Sequence, residues 1–118
     1  MNKIELALQR ARDTKALITG SGTVCRTAEM FTSLFPGKKA VIVADENTWE
    51  VAGKDAQSSL DQAGVCSEAP YIFPAKDFYA EWQHIETLKS YLEPIDAVAI
   101  AVGSGVINDT VKLVSHLL

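Results

Sequence analysis

A chain of 118 residues, 47% hydrophobic and 22% charged, has the make-up of one globular domain with its own core. A formal net charge of −4 without a basic stretch excludes nucleic acid as a main partner, and no apolar run nears the roughly 20 residues that span a bilayer. Glu5, Arg10 and Arg12 interrupt any leader-like apolar core, and Cys25 and Cys66 lie beside apolar segments where reduced, buried thiols are expected, so a cytoplasmic location is expected.

Ile4, Leu8 and Ala11 recur at helical spacing and predict a short first helix. Residues 16–19 form a brief apolar run ending at Gly20-Ser21-Gly22, after which Val24, Ala28, Phe31 and Phe35 mark one helical face. Pro36-Gly37 ends that helix, since proline lacks the next donor and glycine accepts a left-handed turn. Residues 40–44 read as a buried strand, and Asp45-Glu46-Asn47-Thr48 is rich in helix-capping side chains. Ala56, Leu60 and Ala63 predict a helix that stops at Gly64. Tyr71, Ile72 and Phe73 form a short strand halted by Pro74, and Asp77 caps a helix whose core face is Phe78, Trp82, Ile85, Leu88 and Leu92. Glu93-Pro94 closes that helix. Residues 97–102 then read as a fully buried strand running into Gly103-Ser104-Gly105, with Asn108-Asp109 opening a last helix.

Strands and amphipathic helices thus alternate at least four times. Short uninterrupted apolar strands of this kind imply an α/β fold, a parallel sheet with helices on both faces. Residues 111–118 are apolar at 111, 114 and 118 with no cap or glycine, as in a helix that finishes against a further element or another copy in a homo-oligomer.

In such sheets ligands bind at the carboxyl ends of strands, so both glycine turns are candidates. The first, Gly20-Ser21-Gly22, carries Asp45 at about the roughly 20-residue separation expected of a dinucleotide fingerprint. It has Cys25 where that fingerprint wants a third glycine. The second, Gly103-Ser104-Gly105, has Asn108 at that place and adds Asp109 and Lys112. Taken alone, Asp45 can be a strand-end acid or a cap. Asp109 can be an acid drawn to a helix dipole, with Lys112 as its surface partner.

The run Ala101-Val102-Gly103-Ser104-Gly105-Val106-Ile107-Asn108-Asp109-Thr110-Val111-Lys112 resembles the G-G/S-G-x-x-x-D-x-x-K signature of the dehydroquinate-synthase-like superfamily. With residues 41–48 upstream, the form is most similar to its glycerol-1-phosphate dehydrogenase branch, beside glycerol dehydrogenases and iron-containing alcohol dehydrogenases. The resemblance implies a Rossmann-like N-terminal domain over residues 1–118 that binds NAD or NADP. A helical C-terminal domain beyond residue 118 would carry a divalent metal (zinc, iron or nickel) on an Asp and two His. It implies that Asp45 receives the adenosine ribose hydroxyls, with NAD preferred over NADP, and that Gly103, Ser104, Gly105, Val106, Ile107, Asn108 and Asp109 hold the pyrophosphate and nicotinamide ribose. The substrate implied is a polyol or polyol phosphate, such as glycerol 1-phosphate, and the isolated chain is expected to be inactive. A dehydroquinate synthase-type lyase and a stand-alone nucleotide-binding module are the alternative readings.

Nothing else in the sequence offers that metal a home. His84 and His116 stand 32 positions apart, with no H-x-x-x-H or clustered carboxylates. Ser104 has no triad-like partners. Asp55, Asp61, Glu81 and Glu86 read as solvated helix faces, and Phe78, Tyr79 and Trp82 as core.

Overall fold

A computed structural model describes Lys3, residues 22–74 and residues 82–118. The first helix expected around Ile4, Leu8 and Ala11, the strand at 16–19, Gly20-Ser21, and the Asp77 cap with Phe78, Tyr79 and Glu81 lie outside the described residues. Helix α1 (Thr27–Leu34) follows a 3₁₀ turn at Thr23–Arg26. Strand β1 (Ala40–Asp45) leads into one helical run: a turn at Glu46–Thr48, a π-helical segment at Trp49–Gly53 and helix α2 (Lys54–Gln62). Strand β2 (Tyr71–Phe73), helix α3 (Trp82–Leu92), strand β3 (Val98–Val102) and helix α4 (Gly105–Leu117) complete the order.

The three strands are parallel and ordered β2-β1-β3. β1 lies at the centre, and Ala40 to Ala44 are wholly shielded from solvent. Strand periodicity sends Val41 and Val43 to one face, against Ile85, Leu88 and Leu92 of α3 and Ile107, Val111 and Val114 of α4. Ala40, Ile42 and Ala44 face the other way, against Ala28 and Phe31 of α1 and Ala56 and Leu60 of α2. Right-handed crossovers explain the division: β1-α2-β2 winds one way along the sheet and β2-α3-β3 winds back, so their helices fall on opposite faces. The strand order therefore reverses between β1 and β3, and in open parallel sheets the carboxyl ends at such a reversal are where ligands bind.

Local chemistry fixes the ends of these elements. Gly64, at φ 72°, turns the chain out of α2, while Val65 N–H returns to Leu60 C=O at 2.9 Å. Ser59 ties α2 to α1, donating to Cys25 C=O at 3.0 Å and accepting from Ala28 N–H at 3.1 Å. Tyr91 Oη donates to Ala69 C=O at 2.6 Å and holds the approach to β2 against α3.

Four expectations are corrected. Cys25 and Cys66 are free thiols, as expected, but exposed: one rides the outward side of the 3₁₀ turn and the other the α2–β2 connection. β3 is half-buried along its length, because it pairs with β1 on one side and has no further strand on the other among the described residues. Phe35 and Ala63 are exposed, since each falls just past the end of its helix. α4 begins at Gly105, three residues before Asn108, because the turn after β3 is already complete there. Among the described residues no helix is long and apolar enough to cross a membrane.

Candidate functional site

Two adjacent strand ends carry the candidate residues. Ala44 pairs with Val102, so Asp45 and Gly103 each stand one residue beyond the same rung, on adjacent strands. Asp45 also pairs with Phe73 of β2 and starts the helical run that follows β1.

At the β1 end, Asp45 is the N-cap of that run. Its Oδ1 accepts from Thr48 N–H at 2.8 Å, and Thr48 Oγ1 accepts from Asp45 N–H at 3.0 Å. The capping role weighed for Asp45 is therefore real, yet it uses one carboxylate oxygen and leaves Oδ2 without a hydrogen bond among the described residues. One turn on, Trp49 packs over Gly53 so closely that a Cβ there would lie 2.6 Å from Trp49 Cε3. Trp49 also packs on the core face shared with Val102, which braces this corner.

At the β3 end, Ser104 caps α4 in extended conformation and supplies no side-chain cap bond. The first intrahelical bond runs from Asn108 N–H to Ser104 C=O at 3.0 Å, so the amides of Gly105, Val106 and Ile107 precede any intrahelical acceptor. Gly103 is held to glycine by Ile107: a Cβ would meet Ile107 Cγ1 at 2.7 Å and Cβ at 2.9 Å. Gly105 differs, with nothing within 4 Å of its Cβ position. A bare turn backed by a buried Ile107 and opening at Gly105 fits a diphosphate, which needs close approach to backbone donors and the positive end of a helix.

The expected residues divide accordingly. Ser104, Gly105, Asn108 and Asp109 are exposed, and Val106 is half-buried. Ile107 turns its side chain into the core, so only its backbone is free to meet a ligand. Asp109 lies in the second turn of α4, where the dipole has faded, and forms no ion pair with Lys112. Of the rival glycine turn only Gly22 is described; at φ 73° it leads into the 3₁₀ turn, and Cys25 N–H donates to its carbonyl at 3.2 Å. Thr48 stands in the sequence among the capping side chains of residues 45–48 and does form a reciprocal cap with Asp45, whereas nothing in the local pattern points to Trp49.

The histidines sit on α3 and α4. His84 of α3 is half-buried, its ring edge-on to Phe73 at 5.6 Å, and His116 is exposed in the last turn of α4. Among the described residues, no three His, Cys, Asp or Glu side chains come together to hold a metal ion. Asp55, Asp61 and Glu86 are exposed.

Known proteins resemble this chain in sequence and in fold. The chain is 35% identical over 106 residues to a 3-dehydroquinate synthase of Rhizobium johnstonii, covering 86% of this chain and 27% of that enzyme. The same enzyme of Laribacter hongkongensis is 29% identical over 94 residues, with 76% of this chain and 26% of the relative covered. The chain thus spans about a quarter of the length of the curated relatives it matches. The crystal structure of glycerol dehydrogenase from Schizosaccharomyces pombe superposes with a TM-score of 0.64 at 25% identity, over 80% of this chain and 23% of that one. A family model described as iron-containing alcohol dehydrogenase matches residues 18–118, and the chain belongs to that family, within the dehydroquinate-synthase-like superfamily.

Proposed function

We propose that this chain forms the dinucleotide-binding part of an enzyme that oxidises a secondary alcohol carbon by hydride transfer to NAD. The observation that carries the reading is that Asp45 and the bare β3–α4 turn stand one residue beyond the same rung, on two adjacent parallel strands. The amides of Gly105, Val106 and Ile107 donate to the pyrophosphate, and the missing side chain at Gly105 lets it approach. Asp45 accepts from an adenosine ribose hydroxyl through the oxygen not engaged by Thr48. Gly103 keeps the turn folded against Ile107. When bound, the nicotinamide supplies the hydride acceptor. The described residues offer a metal no site, so this chain's own part is to hold and orient the dinucleotide.

Of the activities open to such a domain, transient oxidation within a dehydroquinate synthase-type lyase reaction is the reading we favour, because the 34–35% identical relatives are 3-dehydroquinate synthases. Net oxidation of a polyol or its phosphate is the second reading, supported by the likeness to glycerol dehydrogenase. Under either, the metal and the substrate-binding residues are supplied by sequence outside this chain, and the chain alone forms no NADH from glycerol or glycerol 1-phosphate.

Calorimetric titration with NAD tests the shared core of both readings. Saturable binding by the wild type, lost in Gly105→Val and kept in Gly22→Asn, whose side chain tolerates the left-handed backbone at that position, is expected. An absence of heat from the wild type, or equal loss in both variants, sinks the assignment.

A further inference from the structure

We propose that Trp49 is a positioning residue, a wedge that sets the spacing between the Asp45 corner and the β3–α4 turn so that one ligand reaches both. This rests on the reading that Asp45 meets a ribose hydroxyl and the turn a diphosphate. The last rung shared by β1 and β3 is Ala44–Val102, and no further rung fixes Asp45 against Gly103. Their separation is therefore left to what packs beneath the two ends. From one side of the sheet Ile107 holds Gly103. On the other side the half-buried Trp49 packs on the core face that Ala44 and Val102 share.

The backbone around Trp49 is shaped for that placement. The helical run after β1 widens there into a π turn, in which Lys54 N–H donates to Trp49 C=O. This turn lies against both β1 and β3. Gly53 is buried beneath the indole: a Cβ would stand 2.6 Å from Cε3 and 3.3 Å from Cδ2, atoms of a rigid ring that moves only as a whole. A π turn and a glycine each weaken a helix. A run that keeps both around one tryptophan serves the placement of the indole rather than helix stability.

The test compares adenosine, inorganic pyrophosphate and ADP, by ligand-observed magnetic resonance titration, on the wild type, Trp49→Ala, Gly53→Ala and Leu60→Ala, with thermal melts of each. Adenosine probes the Asp45 end, pyrophosphate the turn, and ADP both at once. ADP should bind the wild type about a hundredfold tighter than either fragment, the gain that linkage supplies when both ends are engaged together. Trp49→Ala, and Gly53→Ala, which keeps the indole but displaces it, should each lose about tenfold in ADP affinity and less than about twofold for the fragments. Leu60→Ala opens a cavity in the same cluster, so it should melt earlier and keep the ADP advantage. An undiminished ADP advantage in Trp49→Ala and Gly53→Ala, fragments weakened in step with ADP, or an equal loss in Leu60→Ala overturns the positioning role and leaves the two-ended reading in place. A wild type that binds ADP no tighter than its fragments overturns that reading and the wedge together.

Discussion

Gly103 and Ile107 are in such close contact that a methyl group on the glycine would stand 2.7 Å from Ile107 Cγ1. Ile107 is wholly buried against Val41 and Val43, so it has no room to retreat. Gly103→Ala should therefore cost about 1–3 kcal/mol of stability by forcing the turn off the sheet. Gly105→Ala meets open space and should leave stability nearly unchanged. Denaturant melts of the two variants check the contrast. Equal losses would mean that the turn does not pack on Ile107 as described.

Leu60 and Leu88 are both fully buried, on opposite faces of the sheet and in separate clusters. Each replaced by alanine should lose about 2–5 kcal/mol, from lost apolar transfer and the cavity left behind. Because the strands separate them and they share no packed neighbour, the double variant should lose the sum to within about 0.5 kcal/mol. Urea unfolding of the three variants measures this. A large coupling would mean that the two faces do not pack independently.

The architecture was legible in the sequence where one physical signal dominated. Val41-Ile42-Val43 has only apolar side chains and must be shielded on both faces, which already demands a parallel sheet between helix layers. Leu60 with Ala56, and Leu88 with Ile85 and Leu92, keep helical spacing and are buried as expected. What escaped depends on neighbours rather than on local pattern. The apolar run at β3 reads as buried, but its shielding depends on what lies beyond the sheet edge. The cysteines beside apolar segments read as interior, but the turn and the loop that carry them face outward. At the site, the glycines and Asp45 were visible as types. The division between Gly103 as a packing glycine and Gly105 as an open one appears only once Ile107 is placed.

The outward-facing thiols give a direct chemical prediction. Cys25 and Cys66 are both exposed and unpaired, so a chromogenic disulfide should titrate two thiols per native chain without denaturant. Reaction of one thiol or none until denaturant is added would place a cysteine in the interior. Ser replacements at 25 and 66 should each remove one equivalent and change the melting temperature little, as neither side chain fills a core cluster.

Tyr71 supplies the pH dependence. Burial beside Phe73 and Tyr91, with ring centroids 4.8 and 5.0 Å away, raises its phenol above the ordinary value, and charge on Tyr91 adds to the rise. A raised value in the folded state means that the native protein holds this proton more tightly than the unfolded chain does. The contribution to stability is therefore complete below the unfolded value of about 10 and is lost as pH climbs from there through the higher folded value. Melting temperature should fall across that alkaline window, and less steeply in Tyr71→Phe, which keeps the ring and removes the titrating group. Near-ultraviolet difference absorbance should show one tyrosine ionising late in the wild type and missing from the variant. The same alkaline slope in both proteins would assign the loss to other groups and show that β2 and α3 do not shield this phenol.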